Sequence, residues 1–101
     1  MIKITYGSRE PPSLVLLGHS GYSTEGTDIV CAAVSTLFLT LVNSVSAYTD
    51  DLVSVRGEPG DGALIWRGKI SDKGRLLLDS ALLGLRDVAE QYPEYVSFEI
   101  V

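Results

Sequence analysis

The chain has 101 residues, 46% of them hydrophobic, and carries a net charge of −5 from 13 acidic and 8 basic side chains. That length suits one domain and leaves no room for a second, and the apolar fraction supports a packed core over disorder. The basic residues Lys3, Arg9, Arg56, Arg67, Lys69, Lys73, Arg75 and Arg86 are scattered. A reader of nucleic-acid backbones presents a clustered positive face, so direct nucleic-acid binding is not expected, whereas an acidic surface suits a basic protein partner.

Ile2-Lys3-Ile4-Thr5-Tyr6 alternates apolar and polar residues, the period of a half-buried strand. Gly7 to Pro12 reads as a turn, and Ser13-Leu14-Val15-Leu16-Leu17 is a short apolar run expected of an interior strand. His19 to Thr27, with Gly21 and Gly26, reads as a loop. A helix is then expected from Thr27 or Asp28, both good N-caps, to about Tyr48. Ile29, Ala32, Ala33, Thr36, Leu37, Thr40, Leu41 and Ser44 fall on helical spacing there, and further apolar residues round the girth predict a largely buried helix.

That helix lies in a run of 21 uncharged residues, Ile29 to Thr49, long enough to cross a bilayer. Ser35, Thr36, Thr40, Asn43, Ser44 and Ser46 dilute it, and Asp28, Asp50 and Asp51 bracket it where a membrane helix would show Lys or Arg. A core helix of a protein without membrane association is the expectation.

Leu52-Val53-Ser54-Val55-Arg56 and Ala63-Leu64-Ile65-Trp66-Arg67 read as two strands of a hairpin. The separator Gly-Glu-Pro-Gly-Asp-Gly looks too long for a two-residue turn. A second helix is expected from Ser71 or Asp72, with Leu78, Ala81, Leu82, Leu85, Val88, Ala89 and Tyr92 as its apolar stripe and Pro93 as its stop. Val96, Phe98 and Ile100 alternate with Ser97 and Glu99 as a last strand. The order ββαββαβ predicts an α/β two-layer sandwich, a five-stranded mixed sheet with two helices on one face.

The chain has one cysteine and one histidine, twelve residues apart. One cysteine excludes an intrachain disulfide and fits a reducing compartment, and MIKITYG lacks signal-peptide design, so a cytoplasmic location is expected. His19 lies where a strand runs out into the loop, and Cys31 lies in the first turn of the next helix. Both face the same edge of the sheet, although spacing alone does not establish contact. Unpaired N–H groups and the positive pole at a helix start favour a thiolate, the nucleophilic form, and a nearby imidazole would add to that. Asp28 opposes this electrostatically; it could cap the helix or orient His19. Ser35, one turn after Cys31, could bond the sulfur or the imidazole. The plain alternatives are that Cys31 is a small core residue, that Gly18, Gly21 and Gly26 are turn glycines, and that Tyr22 and Trp66 simply pack. No metal site is expected, since zinc needs three or four protein ligands, and no cofactor-binding motif is visible.

Gly18-His19-Ser20-Gly21-Tyr22, followed by Gly26-Thr27-Asp28-Ile29-Val30-Cys31-Ala32-Ala33-Val34-Ser35, resembles the ribosomal-processing cysteine proteases of Firmicutes and related bacteria. That family usually reads Gly-His-Ala-Gly-Tyr, a short glycine-bearing spacer, then Asp-Ile-Val-Cys-Ala-Ala-Val-Ser. The resemblance covers the whole chain in length and element order, and Ser20 in place of alanine is the departure. It implies a homodimeric peptidase that removes the N-terminal extension of a large-subunit ribosomal protein and accepts aromatic and small residues around the cut. It implies Cys31 as nucleophile and His19 as base, with Gly18, Gly21, Asp28 and Ser35 in support. The spacer, with Ser20, Tyr22 and Gly26, would be a mobile loop over substrate. Two rival readings remain: a non-catalytic module that binds a ribosomal protein, with Cys31 buried and inert, and a thiol redox sensor, which the absence of a resolving cysteine disfavours.

Overall fold

The computed structural model describes residues 1–18 and 29–101. The elements run β1 (Ile2–Gly7), β2 (Ser13–Leu17), α1 (Ile29–Tyr48), β3 (Val53–Glu58), β4 (Asp61–Trp66), α2 (Asp72–Gln91) and β5 (Val96–Ile100), the expected order ββαββαβ. They build one five-stranded sheet in the order β3-β4-β2-β1-β5. Only β1 and β5 pair parallel; the other neighbours are antiparallel. The sheet is therefore mixed, as the element order predicted.

Alternation along the strands sends one side of the sheet to the helices. Ile2 and Ile4 of β1, Leu14 and Leu16 of β2, Leu64 and Trp66 of β4 and Val96 of β5 are all buried, and they form one cluster with the buried faces of both helices. The register agrees, since Ile4 pairs with Leu16, Leu14 with Leu64 and Ile2 with Val96. In α2, Leu78, Ala81, Leu82 and Leu85 are buried while Val88, Ala89 and Tyr92 pack at the margin, so the stripe read from the sequence is the one used.

The face of α1 differs from expectation. Its buried residues are Val30, Val34, Phe38, Leu41 and Val45, and of the expected stripe only Leu41 is among them. Nor is the helix largely buried: 28% of its most apolar window is inside the fold, at a mean hydropathy of 1.9, and Ile29, Leu39 and Tyr48 are exposed. A helix apolar round its girth carries no pattern to choose a face, so the choice falls to the sheet. The larger side chains go inward because they remove more apolar area from water. Leu37 turns to α2 instead, where Gly84 leaves room; a Cβ there would lie 3.0 Å from Leu37 Cδ2.

The hairpin is also tighter than expected. Glu58 pairs with Asp61, so the strands extend into the glycine-rich separator and only Pro59 and Gly60 turn. Gly60 has φ 74°, and proline followed by a residue with positive φ is the chemistry of a type II turn.

Asp51, in the connection after α1, joins three parts of the fold. Its Oδ2 accepts from Trp66 Nε1 at 2.9 Å, from the Ser71 amide at 3.2 Å and from Ser71 Oγ at 3.0 Å. Ser71 Oγ in turn accepts from the Gly74 amide at 3.0 Å, which caps α2. Desolvation pushes the Asp51 carboxyl up, but the bonds from Trp66 and Ser71 outweigh it and hold the group below 3.8.

A carboxylate held below its unfolded value stabilises the fold above that value and loses its contribution as pH falls through the folded one. Asp51→Ala should therefore lower stability at neutral pH by about 1.5–3 kcal/mol, the scale of hydrogen bonds to a charged group. The gap between variant and wild type should narrow below the unfolded value of 3.8, which denaturant melts across the acid range would check.

Candidate active site

The first turn of α1 is pinned by Val30 and Val34, at 0% and 3% exposure. Cys31, next to Val30, is rotated about 100° round the helix axis from it and so lies beside the buried stripe. It is half-buried. Cys31, Val34, Ser35, Phe38 and Leu39 of α1 line a cleft of about 390 Å³. They stand at i, i+3, i+4, i+7 and i+8, which is one face of one helix.

The opposite wall is the tip of the β3–β4 hairpin, residues 57–62, and Ile2 and Leu16 of the sheet also line the cleft. Glu58 and Asp61 belong to that wall, and no cation is among the described lining residues. Asp61 is held by Arg56, whose Nε lies 2.9 Å from Oδ1.

Gly18 closes the cleft where β2 ends. Its amide donates to the Gly60 carbonyl at 2.8 Å, which latches the hairpin tip to the end of β2. Its φ is 94°, and a Cβ would run into the Met1 carbonyl oxygen. Glycine is therefore needed here on two counts, left-handed backbone and close approach.

Of the residues singled out in the sequence, Cys31, Ser35 and Gly18 come together round this cleft. His19, Ser20, Gly21, Tyr22, Gly26 and Asp28 lie outside the described residues. Trp66 is 1% exposed and bonded to Asp51, so it packs in the core. The hairpin wall and the helix residues Phe38 and Leu39 were not legible as parts of a site. The separator read only as turn punctuation, and nothing local relates it to Cys31.

A profile of the family described as "Cysteine protease Prp" matches residues 1–97. The chain belongs to this family of cysteine proteases. It is 26% identical over 85 residues to the ribosomal processing cysteine protease Prp of Staphylococcus aureus, spanning 82% of this chain and 80% of that protein. The fold superposes on the crystal structure of S. aureus Prp with a covalently linked product peptide at a TM-score of 0.92 and 22% identity, covering both chains fully. It is also similar to SMU.848 from Streptococcus mutans, with TM-score 0.81, 38% identity, and cover of 100% of this chain and 94% of that one. Membership of the Prp family makes the chain a peptide hydrolase of the thiol class.

Gly18→Ala should lower stability by about 1–2 kcal/mol from the left-handed backbone alone, with the Met1 clash adding to it. A thermal melt showing no loss would mean that the backbone relaxes out of the left-handed region without cost.

Proposed function

We propose that this chain is an endopeptidase that removes the N-terminal extension of a ribosomal protein, with Cys31 as nucleophile and His19 as general base. The observation that carries the proposal is that the chain's one cysteine stands in the first turn of α1 on the wall of an apolar cleft. The S. aureus relative supplies the substrate class, being named for ribosomal processing.

Acyl transfer proceeds in two stages. His19 takes the thiol proton and the Cys31 sulfur attacks the scissile carbonyl carbon, placing negative charge on its oxygen. Backbone N–H groups at the start of α1, including that of Cys31, stabilise that charge, where the helix pole is positive. The tetrahedral species collapses, the C–N bond breaks, and the imidazolium protonates the leaving amine. Water then enters, gives a proton to His19, and cleaves the thioester to release the acid and restore the thiol. Asp28 orients His19 or caps α1, and Ser35 bonds the thiol–imidazole pair. Gly21 and Gly26 let the segment with Ser20 and Tyr22 close over substrate.

The enzyme works in the cytoplasm as a homodimer, bound to neither membrane nor nucleic acid and without metal or cofactor. The exposed Ile29 and Leu83 give a second copy apolar surface to cover. A dimeric mass in sedimentation equilibrium supports this; a monomer at micromolar concentration refutes it.

Incubation with an extended ribosomal protein, read by mass spectrometry, tests the activity. Cys31→Ala should lower kcat by at least about 10³-fold, on the scale seen when a covalent nucleophile is lost, without unfolding the chain. His19→Ala should cost about 10²–10⁴-fold, as for loss of a general base. Cleavage by Cys31→Ala at more than a few per cent of the wild-type rate would mean that Cys31 is not the nucleophile.

A further inference from the structure

We infer that Gly57 is a specificity-determining residue: the side chain it lacks is the space into which a bulky apolar side chain of the substrate enters beside Cys31. The inference deepens the proposed peptidase reading and rests on it for the word substrate.

Helix-facing positions alternate along the β3–β4 ladder. Val53 faces Trp66, Val55 faces Leu64, and Gly57 faces Gly62. Two pairs thus carry large side chains toward the helix layer, and the third, at the cleft, carries none. The two glycines have different reasons. A Cβ on Gly62 would stand 3.2 Å from Phe38 Cε2, so that glycine lets α1 approach the sheet. Among the described residues, a Cβ on Gly57 would meet nothing within 4 Å. Packing against them therefore does not require glycine at this position. Nor does the backbone, since positive φ occurs among the described glycines only at Gly18 and Gly60.

Glycine in a strand is unfavourable, for it gives up side-chain packing and costs chain entropy. Here it keeps open a cleft whose other walls include Leu16, Val34, Phe38 and Leu39, with Cys31 on the same helix face. An occupant set between the α1 face and Leu16 of the sheet meets apolar walls and is an apolar one, and the open hairpin side admits a large one. Any side chain at position 57 would compete for the same volume.

The test uses the full chain and the variants Gly57→Ala and Gly57→Val. Two probes of different size, iodoacetamide and N-benzyl iodoacetamide, alkylate the single cysteine, and the ratio of their rates reads the space beside it without needing peptidase activity. Gly57→Val should lower the benzyl-to-small ratio about tenfold and Gly57→Ala less, in the range that one or two methylenes command in an apolar pocket. The melting temperature should hold or rise. Peptides carrying alanine or phenylalanine at the residue before the cut should show the same fall in the ratio of their kcat/KM values. Equal alkylation ratios in wild type and Gly57→Val would overturn the inference, as would a ratio that falls only together with the melting temperature. A shifted alkylation ratio with no peptide cut by the wild type would uphold the open space at Gly57 and sink the peptidase reading instead.

Discussion

The seating of α1 on the sheet governs the rest of the molecule. Val30, Val34, Phe38, Leu41 and Val45 run down one side of a helix whose other sides are nearly as apolar. They meet the even-numbered side chains of β1, β2 and β4 in one cluster. Each such side chain, fully buried, contributes about 1.5–3 kcal/mol. A rotation of the helix by one residue would bring smaller side chains such as Cys31, Ser35 and Ser46 against the sheet in place of Val30, Val34 and Val45. Phe38 fixes the depth of the contact, because its ring lies over the bare backbone of Gly62.

The position of Cys31 follows from that seating. With Val30 inward, Cys31 is turned to the side, and Ser35 and Leu39 follow it one and two turns later along the cleft. The cysteine thus belongs to a rigid element whose orientation is secured by residues that take no part in chemistry. The hairpin opposite is secured too: its tip is tied through the Gly18 amide to the end of β2, and Arg56 holds Asp61. A site with rigid supports on both sides suits acyl transfer, in which small displacements of the nucleophile cost rate.

The same arrangement makes the β2–β4 pairing part of the cleft. β4 must lie beside β2 for the hairpin tip to reach Gly18, and Leu17 pairs with Asp61 at that end. Asp51 works at the opposite end of β4, joining Trp66 to the N-terminus of α2. The glycine-rich end of the β3–β4 hairpin frames the cleft, and the apolar end anchors the second helix.

The sequence by itself determined the element order, the mixed two-layer architecture, the face of α2 and the motif that marks the family. These are local matters: periods of two and 3.6, caps such as Ser71, a stop such as Pro93, and a run of residues round Cys31. Tertiary structure alone decided which face of α1 is buried, because a helix apolar on every side offers no periodic contrast. It also decided the two-residue turn at Pro59-Gly60 and the cleft wall beyond it. Glycines have no side chain and so leave no trace in a hydrophobic pattern. Gly57 and Gly62 acquire meaning only when strand pairing sets them opposite each other, facing a helix that begins almost thirty residues earlier in the chain.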